Sequence, residues 1–310
     1  MPDHRSPPDL LPVRVRAALA RPRHWLTLAV LASLLIGGCE ALQTQQRKWI
    51  FQARPAAVSA EELGRFSSAR GMGDVWIEHV SPSSGQPIRL HALWAAHADP
   101  RAPVLLYLHG ARRDVGGSAH RIENMRDLGF SVLAIDYRGF GASTDELPSE
   151  TGVVEDAAAA WQWMGRQHGE RARYVFGHSL GGAVAMQLAA RLGEGLVSER
   201  PRGVIVEGTF TSVGDLFRTF RWGWLPITAL ITERFDSLDA VTRIRSPLLV
   251  VHGSADSLVP SRFGRALYER ATVAKRFVLV EGGTHWSTNG RGVGSYRTAL
   301  RDLFGLGDGA

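Results

Sequence analysis

Ser179 stands between glycines in the stretch Gly177-His178-Ser179-Leu180-Gly181. A serine hydroxyl attacks a carbonyl carbon efficiently only when a neighbouring base takes its proton and a third group orients that base. The chain holds 34 glycines, so the Gly-x-Ser-x-Gly spacing alone decides nothing. Serine is also a good helix N-cap, a plainer role for the same residue. Two residues far downstream supply the missing chemistry. Asp256 ends His252-Gly253-Ser254-Ala255-Asp256, and His285 lies in Glu281-Gly282-Gly283-Thr284-His285-Trp286. An imidazole can take the serine proton, and a carboxylate can fix its tautomer and stabilise the cation that forms. Asp256 as a cap for the helix opened by Val259-Pro260, and His285 as an ordinary loop histidine, are the competing roles. Glu207 is the rival acid. His109, His178 and His252 are less suited as the base, because neighbours at a strand end or turn fix each of them.

The elements that must position these groups are legible as apolar runs. Strands are predicted at Val75–Val80, Ile88–Ala95, Val104–Leu108, Ser131–Ile135, Arg173–Phe176, Val204–Val206, Leu248–Val251 and Arg276–Val280. Several are unbroken β-branched and leucine runs, as expected of strands buried on both faces. Three-to-four spacing predicts helices at Ile122–Leu128, Val153–Gln167, Leu180–Leu192, Arg262–Ala271 and Ser295–Phe304. Strands alternating with helices imply an α/β fold: a mostly parallel eight-stranded sheet flanked by helices. The first two strands have no helix between them and are expected to form an antiparallel edge hairpin across Pro82–Pro87.

In such a sheet Ser179 falls where the fifth strand gives way to a helix. Asp256 and His285 follow the seventh and eighth strands directly, so all three sit at the carboxyl edge. The order Ser, Asp, His is the one this architecture uses. Gly177 and Gly181 relieve crowding at a sharp turn, and the helix N-terminus favours developing negative charge. Two backbone amides should face the oxyanion: that of Leu180, after the nucleophile, and that of Ala111, on the loop after Leu108-His109-Gly110. Residues of about 211–244 exceed what one crossover helix needs and are read as a small cap. Their aromatics, Phe217, Phe220, Trp222 and Trp224, either line an apolar pocket or simply pack.

The chain has 310 residues, 45% of them hydrophobic, enough for one large domain with a sizeable core. Its formal charge is +6. Half of that excess lies in residues 1–38, where Arg5, Arg14, Arg16, Arg21 and Arg23 oppose only Asp3 and Asp9. No basic stripe interleaved with aromatics points to nucleic acid. Leu26–Gly38 is an apolar run of 13 residues, short of the ~20 that span a bilayer. It fits the core of a secretory signal. Ile36-Gly37-Gly38-Cys39 resembles a bacterial lipobox, which makes Cys39 a lipidation candidate. The expectation is a signal peptide over 1–38, a tether and lead-in over 39–70, and a catalytic domain over 71–310. An exported, membrane-anchored lipoprotein facing the periplasm follows; a signal anchor with an incidental cysteine is the alternative. Cys39 is the single cysteine, so no disulfide forms within the chain.

Leu108-His109-Gly110, Asp136-Tyr137-Arg138-Gly139-Phe140-Gly141-x-Ser143, Gly177–Gly182 and His252-Gly253-x-x-Asp256 together resemble the α/β-hydrolase superfamily. The segment from Asp136 to Ser143 is similar to the branch of serine-aminopeptidase-like hydrolases and protein depalmitoylases. That branch often carries asparagine after His-Gly, where this chain has Ala111-Arg112-Arg113-Asp114. The resemblance implies a serine hydrolase that needs no metal or cofactor. Its expected substrates are small esters or thioesters, with peptides, or a non-catalytic binding role, as alternatives. Arg112 and Arg113 either contact an anionic substrate group or are solvated loop charges.

Overall fold

The computed structural model describes residues 38, 40–54, 60–195, 199–221 and 223–307. Cys39 and the apolar run up to Gly37 lie outside them, as does Trp222. The chain divides into two compact units, residues 1–45 and 46–310. The second carries every element considered below. Among the described residues no helix is long and apolar enough to cross a membrane.

Eight strands form one sheet: β1 (Gly73–Val80), β2 (Pro87–Ala95), β3 (Val104–Leu108), β4 (Ser131–Ile135), β5 (Arg173–His178), β6 (Gly203–Glu207), β7 (Leu248–Gly253) and β8 (Lys275–Val280). Their order is β1-β2-β4-β3-β5-β6-β7-β8. β1 pairs β2, and β2 pairs β4, antiparallel. The other neighbours are parallel. The edge hairpin turns over Ser81–Gln86, where Gly85 takes the left-handed conformation at φ +70° that the turn requires.

Helical segments follow as α1 (46–51 within this unit), α2 (Ala60–Ala69), α3 (Ala119–Asp127), α4 (Glu150–His168), α5 (Leu180–Glu194), α6 (Val213–Phe217), α7 (Ser237–Arg243), α8 (Arg262–Arg270), α9 (Thr288–Arg291) and α10 (Val293–Phe304). α4 starts a turn before its apolar periodicity does. The Ser149 side chain accepts from Gly152 N and opens the helix, a signal of capping rather than of hydrophobic spacing. Within the stretch read as tether and lead-in, α1 and α2 are helical, and Phe51 is fully buried edge-on to Phe235, 5.9 Å between rings.

The central strands are apolar on both sides because both sides are covered. Leu106, Leu108, Val175, Val204, Val206 and Val250 pack into one core with residues of α4, α5, α7 and α8. Their sequence neighbours Leu105, Tyr107, Phe176, Ile205, Leu249 and Val251 join residues of α3 and α10 on the other. A one-residue slip would exchange the two sets, so the register is firmly specified. The carboxyl ends of β3, β5, β6, β7 and β8 are thereby fixed side by side.

Candidate active site

β5 ends at His178 and α5 begins at Leu180, leaving Ser179 to make the whole turn at φ 55°, ψ −120°. That conformation is strained for a residue with a side chain, and its neighbours hold it in place. Ser179 N donates to Glu207 O at 2.8 Å, and Ser179 O accepts from Thr209 Oγ1 and Gly182 N, both at 2.9 Å. The flanking glycines are required by contact. A Cβ at Gly177 would lie 2.1 Å from Gly181 O, and one at Gly181 would lie 2.1 Å from Leu108 O. The Ser179 side chain makes no capping hydrogen bond, so the plainer role is unfilled.

The loops after β7 and β8 bring Asp256 and His285 together. His285 Nδ1 lies 2.8 Å from Asp256 Oδ2. Because a carboxylate only accepts, Nδ1 carries the proton and Nε2 is the basic nitrogen. Asp256 Oδ1 accepts the amides of Leu258 at 3.0 Å and Val259 at 2.8 Å, which locks the carboxylate toward His285. Its loop-capping role and its contact with the imidazole thus use different oxygens. Both side chains are buried.

Ser179 and His285 line one cavity of ≈ 320 Å³. Gly110 and Ala111 form part of the same wall, and a Cβ at Gly110 would lie 3.1 Å from Ser179 Cβ. The amides of Ala111 and Leu180 donate to no other described residue, which leaves them available to an oxyanion.

The rival groups are committed elsewhere. Glu207 accepts from Arg121 Nε at 3.1 Å and from Tyr296 Oη at 2.5 Å, while His285 bonds to Asp256. His109 Nδ1 donates to Gly110 O at 2.7 Å, and His252 Nε2 donates to Val259 O at 2.7 Å. His178 Nε2 donates to His285 O at 3.0 Å. Burial lowers all three of these histidines, and for His178 the cation of Arg121 lowers it further, well below the ordinary value.

The sequence expectation for the pocket aromatics needs correcting. Trp224 is 74% exposed and does not line the cavity, because the turn bonds from Phe220 N to Phe217 O and from Gly223 N to Phe220 O reverse the chain before it. Of the candidate aromatics Phe220 does line the wall, together with Phe210, Val213 and Leu216, and Trp49, Ile50 and Gln52 close it from α1 and its end. The Trp49 ring meets Phe217 and Phe220 edge-on at 6.2 and 6.0 Å. Nothing local marked Lys48-Trp49-Ile50-Phe51 as a pocket wall; an apolar, aromatic cluster before the first strand was the sole signal. Arg112 also lines the cavity, at φ +73°, its Nε donating to Gln52 Oε1 at 2.8 Å and its amide to Phe51 O at 3.1 Å. Arg113 stacks over the Trp286 ring, 4.7 Å from its centroid.

Residues 98–236 match the family of serine aminopeptidases, S33. An uncharacterised protein of Mycobacterium tuberculosis is 30% identical over 279 residues, covering 86% of this chain and 90% of its own. Lysophosphatidylserine lipase ABHD12 of Danio rerio is 34% identical over 188 residues, 56% of this chain and 48% of that protein. The chain therefore spans about half the length of that lipase. Among solved structures, Est1E of Butyrivibrio proteoclasticus with ferulic acid bound superposes with a TM-score of 0.60 at 19% identity, over 74% of this chain and 99% of that one. At that identity the likeness is one of fold. The chain belongs to the α/β-hydrolase superfamily. It is a hydrolase, related to lipases and esterases of that fold.

Proposed function

We propose that the protein is a serine hydrolase that cleaves carboxylic esters or thioesters. The observation that carries this reading is His285, paired with Asp256 at 2.8 Å, lining the same cavity as the strained Ser179. Ser179 Oγ attacks the carbonyl carbon as its proton passes to His285 Nε2. Asp256 holds the imidazole in the required tautomer and stabilises the imidazolium. The amides of Ala111 and Leu180 donate hydrogen bonds to the tetrahedral oxyanion; one such donor contributes about 3–4 kcal/mol to transition-state stabilisation. His285 then returns the proton to the leaving alcohol or thiol, and water clears the acyl-enzyme by the same route.

An ester is favoured over a peptide with a free amino group because no carboxylate side chain lines the cavity among the described residues. Its walls are largely apolar, suited to an acyl chain, and Arg112 is its charged side chain. The relatives named lysophosphatidylserine lipases support an amphiphilic substrate with one acyl chain and an anionic head. In this reading the segment of about 211–244 caps the acyl pocket through Val213, Leu216 and Phe220. Cys39 is the lipidated residue of an exported lipoprotein, tethering the domain at a periplasmic membrane face; mass analysis of the mature N-terminus tests it, and an unmodified Cys39 contradicts it.

A panel of p-nitrophenyl esters, acyl thioesters and aminoacyl amides separates the substrate classes. Ester or thioester turnover rising with acyl length is expected. Efficient amide cleavage with negligible ester turnover would overturn the preference for esters.

A further inference from the structure

Arg121 comes up from α3 beneath the site and is buried to 7% exposure. Its guanidinium reaches three separate strand-end loops. Nε donates to Glu207 Oε1 at 3.1 Å, at the end of β6. Nη2 donates to the main-chain oxygens of His285 at 3.1 Å and Trp286 at 3.2 Å, on the loop after β8. The same nitrogen lies 3.2 Å from His178 Nε2, on the residue before the nucleophile.

Proton counting assigns these contacts. Nη2 has two hydrogens, and the two carbonyl oxygens take both. His178 Nε2 then carries its own proton and donates it to His285 O. The His285 peptide oxygen thus accepts from two sides, which fixes the main chain from which the imidazole projects. On the far side, Glu207 is held by Tyr296 Oη through its second oxygen, and its own main-chain oxygen accepts Ser179 N at 2.8 Å. One buried cation therefore connects the peptide of Ser179 with the peptide of His285. A planar fork can span a carboxylate and two carbonyls in fixed directions, whereas an ammonium on a flexible stem cannot.

We propose that Arg121 is a positioning residue, which sets the His285 loop against the Ser179 turn through the fork Glu207–Arg121–His285/Trp286. This rests on the hydrolase reading given above. Arg121 touches no reacting atom; it acts through the backbone that carries the base. A buried ion pair by itself would make only a stability contribution, and the carbonyl contacts are what tie it to catalysis.

Two variants separate these roles. Arg121→Lys keeps a cation beside Glu207 and loses the fork. The double variant Arg121→Met/Glu207→Gln removes both charges together, so no unpaired ion is left buried. Each is compared with wild type in thermal midpoint, ester kcat and KM, and the far-downfield proton signal of His285 Nδ1–H, assigned by its loss in His285→Gln. A folded variant is expected to lose about 100-fold in kcat, the scale of a 1 Å misplacement of a reacting group. KM should stay near its original value, and the downfield signal should broaden or vanish. Wild-type kcat together with an intact downfield signal in a folded variant would overturn the proposal and leave Arg121 a structural ion pair. If wild-type protein shows no Ser179-dependent turnover, the hydrolase reading fails instead. The downfield signal still decides the role of Arg121: its retention in the folded variants refutes positioning, and its loss supports it.

Discussion

His285 and Asp256 stand 29 residues apart in sequence and 2.8 Å apart in space, Nδ1 to Oδ2, with the other oxygen of Asp256 held by the amides of Leu258 and Val259. The carboxylate cannot rotate away without abandoning two hydrogen bonds. The imidazole is therefore kept in the tautomer that leaves Nε2 basic.

Asp256→Asn should preserve the fold and the cavity while reversing that tautomer preference, since an amide nitrogen can donate to Nδ1. A fall in kcat of about 10⁴-fold is expected, with the thermal midpoint little changed. Steady-state ester hydrolysis beside a melting curve checks this. An activity loss below tenfold in the folded variant would remove Asp256 from the mechanism.

Arg112 lines the cavity with its Nε anchored to Gln52, which places a cation at the wall of the site. Arg112→Gln should weaken turnover of anionic esters while leaving neutral esters of the same acyl length unaffected. The side chain is exposed and solvent screens it, so the effect should be about fivefold, corresponding to ~1 kcal/mol. Raised salt should shrink the wild-type preference in the same direction. Equal losses on neutral and anionic esters would argue against an anion contact.

Stability should fall on acidification. His109, His178 and His252 have folded-state values lowered from 6.5, chiefly by burial, so below that pH the unfolded chain binds more protons than the folded one. Stability is fully present above about pH 6.5 and is lost as pH drops from there toward the lowered values. His91 works oppositely: burial opposes its charge, but Asp136 and Asp74 raise it, so its contribution holds below 6.5 and fades as pH rises through the raised value. His168 is lowered too, by burial and then by the Arg171 cation, so four lowered histidines against one raised one give a net loss with acid. Thermal midpoints measured from pH 8 to pH 5 should decline below 6.5; a flat or rising midpoint would contradict the neutral assignment.

The sheet was readable because its strands are unbroken apolar runs covered on both faces, and each run kept its place within a few residues. The strand-end positions of Ser179, Asp256 and His285 were readable for the same reason: each directly follows such a run. What lay hidden depends on packing between distant segments. Trp49 and Ile50 precede the first strand and line the cavity only because Phe51 is drawn into the core. Trp224 has the composition of a pocket residue, but a turn directs it to solvent. Arg121 was invisible because two of its partners are main-chain carbonyls 164 and 165 residues away, which leave no mark in side-chain identity.

Ser179 as the nucleophile is the claim on which the rest depends, and a fluorophosphonate probe tests it most directly. Folded protein should take up one probe per chain, mapped to Ser179 by peptide mass analysis. Ser179→Ala should abolish labelling, and His285→Gln should slow it severely. Absence of labelling in the folded protein, or equal labelling after Ser179→Ala, would contradict the assignment.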